Sequence, residues 1–150
     1  MMKSALIILV VLSVSFACYV RLSPIAPDDW HVDPAIAPDP GGAGYRTTIS
    51  VNGSPTEVLH VLETIAMQTP RTTLLAGPAQ DGRITFVTRS RFWGFPDMTT
   101  IAVAPGGDET QATFLARSRF GTNDHGVNER RVTDWIAQLI DVDLQTQDAE

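Results

Sequence analysis

The chain has 150 residues, which is enough for one domain, and a formal net charge of −6. The acidic excess lies in two flanking stretches, residues 22–44 and the last ten residues, whereas residues 45–140 carry nine arginines and nine acidic residues. A neutral domain with acidic flanks is not typical of a nucleic-acid-binding protein. The single cysteine, Cys18, excludes an intrachain disulfide.

The first segment, residues 1–21, predicts a signal or membrane anchor. Ser4 to Val20 is a run of 17 residues without a charge. A helix of that length spans roughly 25 Å, close to the ~30 Å hydrocarbon core of a bilayer. Lys3 precedes the run and acidic residues follow Arg21, so the positive-inside rule places the amino terminus in the cytoplasm and the rest of the chain outside.

Three interpretations of this segment remain open. We favour a retained single-pass anchor in the bacterial inner membrane, with the domain facing the periplasm. Ser15-Phe16-Ala17 has the small-x-small pattern of a signal-peptidase site, so the segment could also be removed. Cys18 could alternatively be lipidated. All three interpretations export the domain.

Residues 22–44 are predicted to form a linker. They hold five of the ten prolines and end in Gly41-Gly42-Ala43-Gly44. Proline favours an extended conformation, which is typical of a semi-rigid spacer. Trp30 and His31 are unusual in a spacer, and they indicate that part of the linker docks on the domain.

Regular elements begin at residue 45, and we assign residues 45–142 to one α+β domain, followed by an acidic tail over 143–150. A strand is predicted over 45–51. Ser54-Pro55-Thr56-Glu57 is typical of a helix start, with Ser54 as the N-cap and Glu57 closing a capping box. The apolar positions that follow have helical spacing up to Pro70; they are Val58, Leu59, Leu62, Ile65 and Ala66.

Four more strands and a second helix are predicted after Pro70. The strands cover residues 72–76, 83–93, 99–104 and 111–120, and the helix covers 124–142, capped by Asn123 or Asp124. The order β-α-β-β-β-β-α predicts an α+β fold, with an antiparallel sheet of about five strands and its helices on one face. By fold analogy alone it is helix-grip-like, a fold that clasps a ligand between the sheet and the final helix.

The motif Arg-Ser-Arg-Phe occurs twice, at residues 89–92 and 117–120. In extended strands its arginines share one sheet face, so four guanidinium groups are expected on that face, about 10 Å apart across the middle strand. The face is either a solvated surface paired with carboxylates or a binding site for a lipid phosphate, a carboxylate or an acidic partner. Arg131, on the final helix, is expected to pair with Asp124 or Asp97. The candidate ligand-binding residues are Arg89, Arg91, Arg117, Arg119, Asn128 and Arg131.

The turn Trp93-Gly94-Phe95-Pro96-Asp97 brings two aromatic residues to a predicted hairpin tip. We expect these aromatic side chains to fold back on the core or, alternatively, to contact a membrane or a partner.

No catalytic, metal or cofactor site is assigned. His31, His60 and His125 are scattered, and no nucleophile motif surrounds a serine. An enzyme that uses Asp124, His125 and Arg119 in a cleft is kept as an alternative, although the prediction leans against enzymatic activity.

These motifs resemble a known family. Arg117-Ser118-Arg119-Phe120-Gly121, followed by Asp124, Gly126, Asn128 and Arg131, resembles the closing signature of the bacterial domain-of-unknown-function family 1499 (DUF1499). The turn at residues 93–97 resembles its mid-domain motif, and residues 30–34 are similar to a segment that precedes the domain in some members. The structural-motif residues are Trp93, Gly94, Phe95, Pro96, Asp97, Gly121, Asp124 and Gly126.

The resemblance implies an envelope protein with an N-terminal anchor, and it brings no activity, substrate or catalytic residue. The predicted function is a binding or accessory module of the cell envelope that engages an anionic ligand, a lipid or a protein partner. The alternative is a structural partner of a membrane complex.

Overall fold

The computed structural model describes the backbone of residues 2–147 and the side chains of residues 3–142 other than Gln80. Four α-helices and five strands make up the described chain. The helices are α1 (Met2–Leu22), α2 (Pro27–Trp30), α3 (Pro55–Gln68) and α4 (Val127–Gln147). The strands are β1 (Gly44–Val51), β2 (Thr72–Ala76), β3 (Arg83–Arg89), β4 (Pro96–Gly106) and β5 (Glu109–Ser118).

The five strands form one antiparallel sheet in the order β1-β5-β4-β3-β2. Strands β2 to β5 follow each other as a meander, and β1 pairs with β5 at the far edge. The predicted α+β class and the five-stranded antiparallel sheet are therefore confirmed. As predicted, β4 separates the two strands that carry the Arg-Ser-Arg-Phe motifs.

Helices α3 and α4 cover one face of the sheet and form the core with it. The predicted capping box begins α3: the Ser54 hydroxyl accepts from the Glu57 backbone N–H, and the Glu57 carboxylate accepts from that of Ser54. All five apolar positions predicted for α3 are buried. On α4, the Trp135 ring packs edge-on against Phe86 at 5.9 Å between centroids and is buried between the helix and the sheet.

The predicted strand over residues 83–93 ends instead at Arg89. Residues 90–95 form a hairpin turn, which we call the aromatic hairpin. It is closed by hydrogen bonds from the Ser90 N–H to the Phe95 carbonyl (2.9 Å) and from the Phe95 N–H to the Ser90 hydroxyl (3.0 Å). Gly94 turns the chain with a φ of +76°. Arg91 therefore lies in a turn, and its predicted place on the sheet face is wrong.

The final helix begins at Val127, three residues later than predicted. Asp124 precedes the helix, and its carboxylate accepts from the backbone N–H groups of Gly126 (2.9 Å) and Asn128 (2.8 Å). The helix continues to Gln147, through residues predicted as the start of the acidic tail. Residues 148–150 of that predicted tail lie outside the described residues.

Candidate functional site

The proline-rich segment after α1 lies along the sheet face opposite α3 and α4. We call residues 23–40 the strap. Four arginines of that face donate to the strap, one from β3 and three from β1, from β5 and from the residue after β5. Arg46 donates to the carbonyls of Ala37 and Pro38, Arg117 to the carbonyl of Trp30, and Arg119 to the carbonyl and hydroxyl of Ser23. The predicted linker is thus docked on the sheet over its length.

Trp30 is the centre of this docking. Its carbonyl accepts from Arg117 Nη2 at 2.8 Å and from the Thr100 hydroxyl at 2.9 Å. The Arg117 guanidinium lies over the Trp30 ring, 4.8 Å from its centroid, in a cation–π contact. Burial, and then the nearby charge of Arg46, lower the pKa of Arg117. The prediction that part of the linker docks through Trp30 and His31 is confirmed.

His31 adds a second docking point. Its Nδ1 is 2.8 Å from the Thr85 hydroxyl, and its Nε2 is 3.3 Å from Arg83 Nε, which can only donate. The neutral tautomer with its proton on Nδ1 satisfies both contacts. Burial, and then the charge of Arg83, lower the pKa of His31, and Asp81 opposes them.

The docking of the strap is therefore expected to weaken in mild acid. A lowered histidine pKa means that the folded chain binds the proton less readily than the unfolded chain. The contribution of His31 to the free energy of unfolding is therefore fully present above about pH 6.5 and declines below it. Protonated Nε2 no longer accepts from Arg83, a loss of about 1 kcal/mol. We expect urea unfolding at pH 7.5 and 5.5 to show this decline, and His31→Gln, which keeps one donor and one acceptor, to reduce it. His60→Gln, on the exposed side of α3, is the control and should retain the full decline.

The prediction that four guanidinium groups share one sheet face is wrong for Arg91, and the other three do not form a solvated surface paired with carboxylates. Arg91 lies in the aromatic hairpin, and Arg117 and Arg119 donate to the strap. Arg89 donates to the carbonyls of Gly94 (2.9 Å) and Val20 (3.4 Å). Binding of an external ligand by these residues stays a prediction.

A cleft of about 510 Å³ lies on the other side of the hairpin. It is bounded by the α3–β2 loop, the end of β3, the start of the aromatic hairpin and the first turns of α4. We call it the arginine cleft. Its charged lining residues are Arg71, Arg89, Arg91, Asp97, Arg130, Arg131 and Asp134.

One ion pair fixes the inner wall of the arginine cleft. Arg131 Nη2 lies 2.8 Å from Asp97 Oδ2, and Arg131 Nη1 donates to the side-chain carbonyl of Asn128 at 2.8 Å. The buried Asn128 in turn donates to the Ser118 hydroxyl at 3.0 Å. The predicted pairing of Arg131 is confirmed, with Asp97 as its partner. Of the candidate ligand residues, Arg89, Arg91 and Arg131 line the cleft, with Asn128 beside them.

Three exposed guanidinium groups give the cleft its charge, those of Arg71, Arg91 and Arg130, against the one exposed carboxylate of Asp134. Of these four residues, the motif-based prediction named only Arg91 as a candidate ligand-binding residue. Among the described residues no ion pair joins Arg130 to Asp134. The available signal for Arg71 was its position directly after Pro70, where α3 has ended and a side chain can reach the next element.

Asp124 and His125 line a second, smaller cavity of about 380 Å³. Arg119 does not line it, because its guanidinium donates to Ser23 on the other face. Burial alone would raise the pKa of Asp124, but hydrogen bonds from the N–H groups of Asn128 and Gly126 outweigh it and lower that pKa. The three side chains of the enzyme alternative therefore do not share a cavity.

Helix α1 is the one helix in the described part of the chain that is long and apolar enough to cross a membrane. Its segment Lys3–Leu22 carries no charge between Lys3 and Arg21, and its apolar side chains from Leu6 to Val14 are more than half exposed. Such a helix is compatible with a membrane span or a signal anchor.

The fold and helix α1 together define a small α+β protein with an apolar N-terminal helix and a strap bound across its sheet. The chain belongs to the family described as a protein of unknown function, DUF1499, whose model matches residues 22–139. The resemblance seen in the closing signature is thereby confirmed. The match begins at residue 22, so it includes the strap.

Two solved structures have a similar fold. One is a crystal structure of an uncharacterised protein from Bacillus thuringiensis, 13% identical, with a TM-score of 0.51, covering 68% of this chain and 99% of that one. The other is DynU16, a protein of the dynemicin biosynthetic locus, 14% identical, with a TM-score of 0.50, covering 68% of this chain and 46% of that one. At these identities the similarity shows the fold alone. No protein of the curated set matches the chain in sequence.

Proposed function

We propose that this protein is a membrane-anchored module of the bacterial cell envelope that binds an anionic group in the arginine cleft. The observation that carries the proposal is the charge of the cleft. Three exposed guanidinium groups converge on one cleft in a chain whose net charge is −6. Clustered like charge is unfavourable unless something compensates it, and a bound anion would do so.

The proposed location of the domain is inferred from helix α1. In this proposal α1 is retained in the inner membrane and the domain faces the periplasm. The amino terminus and Lys3 precede the apolar run, whereas Arg21 is the one lysine or arginine between that run and Arg46, a distribution that favours a cytoplasmic amino terminus by the positive-inside rule.

The ligand class follows from the lining. Guanidinium groups present a planar fork of N–H donors that matches the oxygens of a phosphate or a carboxylate. A volume of about 510 Å³ lies within the usual range of small-molecule sites, and it suits a headgroup or a small acid better than a polymer. Arg131, which Asp97 and Asn128 hold in place, forms a rigid wall against which such an anion can be positioned.

The test uses the full chain in a non-ionic detergent with two probes, a short-chain phosphatidylglycerol and inorganic phosphate, and isothermal titration calorimetry. Arg91→Gln/Arg130→Gln is expected to weaken binding at least about tenfold, because two charge-assisted contacts are lost. Both side chains are exposed, so the variant should remain folded. Preference for the lipid over phosphate would identify a headgroup as the ligand source.

A matched control is Thr56→Glu/Gln111→Glu, which changes the net charge by the same amount at exposed positions outside the cleft. It should bind the probes as the wild type does. Equal weakening in both double variants would mean that general electrostatics, and not the cleft, determines binding. Failure of the wild type to bind either probe would contradict the proposal directly.

A further inference from the structure

The carboxyl end of α1 is fastened to the aromatic hairpin. Arg21 Nη2 donates to the Phe92 carbonyl at 2.8 Å, and Val20 is fully buried. The Arg21 side chain also packs against Gly94, where an added Cβ would lie 3.0 Å from Arg21 Cγ. The helix therefore enters the domain at the hairpin, in a defined position.

Aromatic contacts extend this junction back along α1. The Phe16 ring lies 6.0 Å from that of Trp93 and 6.1 Å from that of Phe95, and the Tyr19 ring lies 6.2 Å from that of Phe120. The run Leu6–Val14, before Phe16, is mostly exposed. The domain thus touches only the last turns of the apolar helix.

These contacts set the depth of the hairpin relative to a bilayer. Phe16 precedes Arg21 by five residues, which corresponds to about 7–8 Å along a helix. If Arg21 lies at headgroup level, as flanking basic residues of membrane helices do, Phe16 lies below that level. The Trp93 ring packs beside that of Phe16, so the two rings differ in depth by no more than the 6.0 Å between their centroids.

The hairpin tip has the composition of a membrane-interface segment. Phe92 is 86% exposed and Trp93 is 42% exposed, and the turn also carries Arg91. A large ring left in water at a turn has no packing role in the domain, whereas aromatic residues are enriched at the interface of bilayers.

We propose that residues Arg91–Trp93 form a second membrane contact, with Phe92 and Trp93 inserted into the interface of the bilayer that α1 spans. Arg91 then lies among the lipid phosphates. This inference rests on the retained anchor of the proposed function and adds a fixed orientation of the domain. It also places the Arg91 side of the arginine cleft next to lipid headgroups, which are thereby the nearest source of an anionic ligand.

The test uses the full chain in vesicles of phosphatidylcholine and phosphatidylglycerol, with Cys18→Ser to remove the native thiol. An environment-sensitive fluorophore is attached at Phe92→Cys and, as a control, at Asp108→Cys, in the exposed turn at the opposite end of the sheet. We expect the label at position 92 to be quenched by lipids with a shallow nitroxide and to be several-fold less quenched by aqueous iodide than the label at 108. Phe92 is so exposed that its replacement should leave the fold intact.

The outcomes separate this inference from the proposed function. If the protein floats with the vesicles while both labels are equally open to iodide, the hairpin contact is wrong and the anchor stands. If the protein does not float with the vesicles, the anchor fails and the hairpin contact fails with it. Anion binding in the arginine cleft is measured in detergent, so neither result decides it.

Discussion

Replacing Asp97 with alanine is expected to destabilise the protein by about 3–5 kcal/mol, because the variant leaves the Arg131 charge without its partner in a mostly buried site. The side chains of Asp97 and Arg131 are only 13% and 10% exposed. The pair joins α4 to the first residues of β4, so its loss should also loosen the wall of the arginine cleft. Urea unfolding of the full chain in non-ionic detergent, followed by the fluorescence of its three tryptophans, measures the change.

Two further variants show whether the unpaired charge is the cause. Asp97→Ala/Arg131→Met removes both charges and should be clearly more stable than Asp97→Ala alone, since an apolar pair often replaces a buried ion pair at little loss. Asp134→Asn changes an exposed carboxylate of the same cleft and should shift stability by less than about 0.5 kcal/mol. If Asp97→Ala is no more harmful than Asp134→Asn, the pair does not stabilise the fold.

Replacing Trp30 with alanine is expected to cost about 3 kcal/mol and to release the strap. The change removes a large, half-buried ring and the cation–π partner of Arg117, whose guanidinium is then left over an empty site. This loss of stability is near the lower end of the range for replacing a buried tryptophan with alanine, because the Trp30 ring is not fully buried.

Hydrogen exchange detected by mass spectrometry distinguishes release of the strap from general destabilisation. Amides of residues 23–40 should exchange much faster in Trp30→Ala, while those of α3 keep their protection at low denaturant. Trp30→Phe keeps an aromatic ring under Arg117 and should lose far less. Unchanged exchange of residues 23–40 in Trp30→Ala would show that other contacts hold the strap.

Local patterns predicted much of the fold. The start of α3 was predictable because the Ser54–Glu57 capping box and Pro55 act within one helical turn. The buried side of α3 was predictable because the apolar residues from Val58 to Ala66 lie on one side of the helix. The antiparallel sheet followed in the same way from short strands with turn residues between them. In each case the determining interactions lie within a few residues of each other.

The roles of the arginines could not be predicted in this way. The two Arg-Ser-Arg-Phe copies have the same local pattern, but the first strand ends at Arg89, where the aromatic hairpin with its turn at Gly94 begins, whereas the second continues to Ser118. The acceptors of Arg117 and Arg119 are the backbone carbonyls of Trp30 and Ser23 and the Ser23 hydroxyl, and neither a carbonyl nor a single serine has a signature in the sequence.

The arginine cleft was equally hidden, since Arg71, Arg91 and Arg130 come from three separate parts of the chain. Only the tertiary fold, which sets α4, the α3–β2 loop and the aromatic hairpin around one cleft, brings them together. Guanidinium side chains are typical of anion binding, but the position at which these three come together depends on the tertiary structure.

The strap also has a consequence for biogenesis. Ser23 and its donor Arg119 are 96 residues apart, and Trp30 and its donor Arg117 are 87 residues apart. The strap leaves the ribosome directly after α1, so it can dock on the sheet only after Arg117 and Arg119 have been synthesised. Until then its prolines disfavour premature strand pairing, and we expect the contacts between the strap and the sheet to form last.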